Sequence, residues 1–102
     1  MRQFDIVENP DLSTRGYSPW VAVLQSHHLE PLETIFLAPL VNDATRILNP
    51  VDIPVEFNGQ QLVIAIGEAA GVPKSGYSRV VGSVSHQEDA IRRGFERLLG
   101  GF

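Results

Sequence analysis

The 102-residue sequence predicts a mainly β domain of the α+β or barrel-like class, five to seven strands followed by one C-terminal helix. Three observations carry that prediction. Runs rich in β-branched and aromatic residues recur from Gln3 to Val84, several with the two-residue period of a half-buried strand. Asn58-Gly59 separates two of those runs, and it is the dipeptide that a two-residue hairpin turn favours. From Ser85 onward the apolar period becomes that of a helix. With 43% hydrophobic residues and no cysteine, the chain is expected to form one domain over 1-102, burying roughly 60 to 70% of its unfolded surface around one modest core.

The elements follow in order. Phe4 and Ile6 alternate with Asp5 in a first strand over Gln3 to Glu8, which Asn9-Pro10-Asp11 stops. A polar loop from Asp11 to Gly16 leads to a second run, Tyr17 to Leu24. Pro19 has no N–H to give a ladder, so either that strand is an edge there or pairing begins after it. Gln25 to Glu33 reads as a connection, and Thr34 to Val41 as a third strand interrupted by Pro39. Val51 to Phe57 and Leu62 to Ile66 flank Asn58-Gly59 as a hairpin, with positive φ expected at both turn residues. Gly67 to Gly76 is turn-rich, with room for one helical turn at Glu68-Ala69-Ala70, and Tyr77 to Val84 reads as the last strand. Ser85-His86-Gln87-Glu88 has the spacing of a capping box with Ser85 as N-cap. The helix it opens carries Ile91, Phe95, Leu98, Leu99 and Phe102 on one stripe. Gly94 in its middle costs about 1 kcal/mol against Ala, which predicts a second backbone close by.

Composition excludes several functions. A formal net charge of -4 and a pI near 5.2 oppose direct nucleic-acid binding, because counterion release at a phosphate backbone requires a basic surface. Without cysteine there is no disulfide scaffold, thiolate metal site or cysteine nucleophile. No apolar run approaches the roughly 18 residues of a membrane span, and a soluble cytoplasmic protein without membrane contact is expected. His27, His28 and Glu30 have no third ligand at a suitable spacing and read as a solvated loop, as His86 reads as a surface residue. Gly67 to Gly76 fails as a phosphate loop, since Pro73 precedes Lys74 where Gly is needed. No hydrolase signature organises the serines and histidines, and no carboxylate pair suggests acid–base work. No catalytic residue, metal or cofactor is therefore expected. The helix stripe, followed by Gly100-Gly101-Phe102, either covers the domain's own core or forms an interaction surface.

At this helix the sequence resembles the CcdB (controller of cell death B) toxins of bacterial type II toxin–antitoxin modules. The matching residues are Met1 and Gln3-Phe4, Val23 with Gln25-Ser26, Pro39-Leu40, Leu48 with Pro50-Val51, Gly59, Val72-Pro73, and above all Ser85-His86 with Glu88 and Ile91. The similarity runs over essentially the whole chain. It implies an SH3-like antiparallel barrel with a small extra sheet and a C-terminal helix, of the CcdB/MazF-like type, assembled as a homodimer. It also implies a toxin that is not an enzyme: one that binds the A subunits of DNA gyrase, traps that topoisomerase on cleaved DNA, is neutralised by a CcdA-like antitoxin, and takes part in transcriptional autoregulation.

Carried over residue by residue, the resemblance places target binding at His28, Leu29, Glu96, Leu99, Gly100, Gly101 and Phe102, and assigns no antitoxin-binding residues because the loop after the first strand is longer here. Gyrase-poisoning members end in Trp-Gly-Ile, and only Gly101 of the last three residues matches. Glu96 stands for an Asn, Leu99 for a Phe, and His28-Leu29 for two apolar residues. A Trp buries up to ~250 Å², so Gly100 in its place leaves Leu99 and Phe102 as the available anchors. Two other readings stay open. One is a diverged CcdB-fold protein that binds antitoxin but does not poison gyrase. The other is a MazF-like endoribonuclease toxin with Arg15, Arg46 and His27 as candidates for phosphorane stabilisation and proton transfer.

Overall fold

A computed structural model describes residues 1–25, 33–43 and 51–100. Seven strands are present among these residues: β1 (Asp5–Glu8), β2 (Trp20–Val23), β3 (Thr34–Val41), β4 (Ile53–Phe57), β5 (Gln60–Ile64), β6 (Ala70–Pro73) and β7 (Val80–Ser83). The helix α1 (Glu88–Gly100) follows them. All pairings are antiparallel, in the order β4-β5-β3-β2-β1-β7, with β6 branching from β3. The barrel-like fold expected from the sequence is what the sheet forms, and the small extra sheet is the β3–β6 branch.

Pro39 explains how β3 serves three neighbours. Leu24 N–H donates to the Phe36 carbonyl at 2.9 Å, and the β2–β3 register places Val21 opposite Pro39, between the hydrogen-bonded pairs. The missing N–H therefore points away from β2 and costs that ladder nothing. On the other side, Leu40 and Val41 pair with β5, whereas Thr34 to Leu37 pair with β6. Pro39 lies at the changeover, its carbonyl accepting from Ala65 N–H at 2.9 Å where the β5 ladder ends.

The period of two in these strands builds two apolar faces. Ile6, Ala22, Ala38, Leu40 and Ile64 point into the main core, which Ile91 of α1 joins from outside the sheet. Val7, Val21, Val23, Ile35 and Leu37 point the other way and pack under Met1, Val72 and Tyr77. The two ends of the sheet, β4 and β7, meet through side chains. The Phe57 ring lies over Gly82, where an added Cβ would fall 2.5 Å from the ring edge. Trp20 meets the same ring edge-on, with centroids 5.0 Å apart.

Several expectations hold, and several are corrected. The Asn58-Gly59 turn joins Phe57 to Gln60 with φ of 55° and 75°, the two positive angles of a type I′ turn. Pairing of β2 begins after Pro19, not at Tyr17. The turn-rich segment after Gly67 contains β6, which was not expected, because Ala70, Gly71 and Pro73 have poor strand propensity and the ladder with β3 decides their conformation. A helical turn forms, but earlier than Glu68-Ala69-Ala70: it is a 3-10 turn over Ile66–Glu68, after which Ala69 is extended and Ala70 opens β6. The capping box does not form. Ser85–Gln87 is itself a 3-10 turn, Ser85 N–H donates to Ser83 Oγ at 3.1 Å, and the Glu88 carboxylate accepts from Arg92 at 2.8 Å instead of reaching back. Gly94 has the close backbone expected of it: a Cβ there would stand 3.0 Å from the Val51 carbonyl oxygen.

Candidate functional site

The apolar stripe of α1 divides along its length. Ile91 is buried in the main core, Gly94 is buried against Val51, and Phe95 is half-buried. Beyond them the stripe emerges into solvent, with Leu98 44% and Leu99 82% exposed. The first half of the stripe thus covers the domain's own core and the second half is surface. Each leucine left in water forgoes up to about 1.5–3 kcal/mol of burial that a covering surface would recover.

Around this helix end lies a shallow apolar hollow of about 550 Å³ formed by Phe95, Glu96, Leu99 and Gly100. A second groove of about 300 Å³ adjoins it, with Phe95 and Glu96 shared between the two and Gln3, Phe4 and Leu24 on its far wall. Phe36, exposed on β3, stacks at a tilt against Phe95 with centroids 6.0 Å apart, extending the apolar face from helix to sheet. Phe4 holds the groove's floor. Its φ of 72° turns it out of the β1 run, so that its N–H donates to Val23 O and its carbonyl accepts from Val84 N–H. That left-handed conformation costs about 1–2 kcal/mol for a non-glycine residue, offset here by burial of the ring and two backbone bonds. Gln3 Nε2 closes the wall by donating to Leu24 O at 2.9 Å.

Of the residues placed at target binding, Glu96, Leu99 and Gly100 are brought together at this hollow. His28, Leu29, Gly101 and Phe102 lie outside the described residues. Glu96 is exposed at the rim, while the nearby Arg92 is engaged with Glu88. Among the described residues the hollow therefore offers apolar contact and one carboxylate, which suits binding more than bond-breaking. Phe36 and Phe95 were not singled out as site residues. Phe36 could have been found from the period of two, since it alternates with the inward Ile35 and Leu37.

The endoribonuclease candidates are not assembled among the described residues. Arg15 Nε donates to the Asn9 carbonyl at 2.9 Å and holds its own loop, while His27 and Arg46 lie outside them. The possible metal cluster of His27, His28 and Glu30 also lies outside, and among the described residues no group of three or more His, Cys, Asp or Glu could hold a metal ion. No helix among them is long and apolar enough to cross a membrane.

Comparison with known proteins bears on the family and the fold. A family model described as CcdB protein matches residues 3–101. The toxin MazF-mt6 of Mycobacterium tuberculosis has a similar structure, with a TM-score of 0.75 at 18% identity over 97% of each chain. At that identity the likeness concerns the fold. Curated protein sequences give no match.

Proposed function

Because the chain belongs to the CcdB family, we propose that it is the toxin of a type II toxin–antitoxin module and acts, as a homodimer, by binding the A subunits of DNA gyrase and trapping cleaved DNA. The observation that carries this reading is the unburied end of α1, where Leu98 and Leu99 face solvent beside an apolar hollow. A 102-residue domain has few large apolar groups to spare from its core, and two leucines kept in water, Leu99 at a position the family uses for target binding and Leu98 beside it, fit a docking surface. The role asks for no catalytic group: the toxin stabilises a state of another enzyme by binding it. A CcdA-like antitoxin that covers the same face would neutralise it.

A gyrase supercoiling and DNA-cleavage assay with the purified protein tests the reading, with Phe102→Ala and Leu99→Ala alongside. Trapped cleaved DNA that either variant diminishes is the expected result. No inhibition at tens of micromolar toxin would overturn it.

One observation favours a second reading. Glu96 is an exposed carboxylate on the rim of the hollow, and Gly100 places no side chain where the gyrase-poisoning members carry Trp. A diverged member that binds antitoxin without poisoning gyrase would show tight antitoxin-peptide binding and unimpaired supercoiling.

A further inference from the structure

On the sheet face opposite α1, the loop between β1 and β2 and the chain leading into and out of β6 enclose a concavity of about 220 Å³. Its floor is apolar, formed by Val21 and Leu37 of the second core. Tyr17 and Tyr77 stand on its walls, with the carboxylates of Asp11 and Glu68. Among the described residues that form it there is no basic side chain. Arg15, on the same loop, is turned to the Asn9 carbonyl.

The loop is built to hold this shape. Asn9 is buried, and its Nδ2 donates to Ser18 O at 2.7 Å and to Thr14 Oγ1 at 2.9 Å, while Asp11 N–H donates to Asn9 Oδ1. Asp11 accepts from both the backbone N–H and the hydroxyl of Ser13. These bonds keep the Asp11 carboxyl below its ordinary pKa, so it is ionised at neutral pH. Its charge is felt across the concavity: partial burial, with Asp11 adding to it, pushes the Tyr77 phenol above its ordinary range.

An apolar floor, aromatic walls and fixed negative charge together select a cation on an apolar stem, because the stem gains burial while the charge meets carboxylate and ring faces. One wall is β6, which pairs only with β3 among the described strands, so its outer edge offers backbone hydrogen bonds beside the concavity. From these features we infer that the concavity is a binding site for a basic side chain, Arg or Lys, carried on an extended peptide segment of a partner.

The test is a backbone-amide NMR titration at physiological salt with three probes: acetyl-Ala-Arg-Ala-amide, its citrulline counterpart, which is isosteric but neutral, and n-butylguanidinium as a free cation. The arginine peptide is expected to shift amides in 9–18 and 70–77, and to bind about five-fold more tightly than the citrulline peptide, as an ion pair with an exposed carboxylate allows at most. Asp11→Asn should remove that preference, and Tyr77→Leu should weaken the arginine peptide, with amides of the main core unmoved in both variants. Equal binding of arginine and citrulline peptides, shifts centred elsewhere, or n-butylguanidinium binding as tightly as the peptide would overturn the proposal. None of these readouts involves gyrase or the end of α1.

Discussion

A Cβ on Gly82 would meet the Phe57 ring at 2.5 Å, with Ile6 also within reach. Neither neighbour is free to retreat, because Phe57 is also held edge-on by Trp20 and Ile6 is fully buried. Gly82→Ala is therefore expected to destabilise the protein by about 1–3 kcal/mol through overpacking, and the loss in chemical denaturation should shrink when Phe57→Leu is added. Gly94 poses the opposite balance. Alanine there gains about 1 kcal/mol of helix propensity, but its methyl would press on the Val51 carbonyl oxygen at 3.0 Å, and backbone yields less than side chain. Tyr77 supplies a pH test. Its folded pKa is raised above the ordinary 10.0, so the stability it contributes is present below pH 10 and is lost as pH rises through the higher folded value. Ultraviolet titration should place its ionisation above that of a free tyrosine, and Asp11→Asn should lower it without removing the part due to burial.

Among the elements, the start of α1 separates two accounts of its capping. If Ser85 were the cap, Ser85→Ala would cost about 1 kcal/mol. The 3-10 turn that precedes α1 has Val84 as its N-cap and no side-chain cap, and Ser83 Oγ instead accepts from Ser85 N–H two residues on, so thermal denaturation should show Ser83→Ala as the more damaging change. The β4–β5 hairpin depends on two positive φ angles, so Gly59→Val should weaken it by about 1 kcal/mol or more. β6 shows the limit of local reading: its residues favour turns, and the β3 edge makes a strand of them.

In the whole molecule, two contacts distant in sequence tie the fold together: Phe57 on Gly82 joins the two ends of the sheet, and Ile91 fixes α1 to the main core. Ile91→Ala is expected to cost 2–5 kcal/mol, roughly the loss for a large aliphatic removed from a core. Leu99, at 82% exposure, should behave in reverse. Leu99→Lys should leave the midpoint of urea denaturation nearly unchanged while abolishing trapped cleavage complexes. A similar loss of stability in both variants would argue that the helix end belongs to the fold.

The strand-rich order, the hairpin turn, the terminal helix, the tight packing at Gly94 and the family are all legible in the sequence, because each rests on local periodicity, on turn chemistry or on residues matched one by one. It also brought Glu96, Leu99 and Gly100 to notice. That the helix stripe stops being core after Phe95 follows from the folded arrangement alone, since it depends on what other segments place against each turn of α1. The same holds for β6, for the pairing of Phe36 with Phe95 and for the concavity at Asp11 and Tyr77. Each of these joins residues from separate segments, and no pattern within one segment reports what another will place against it.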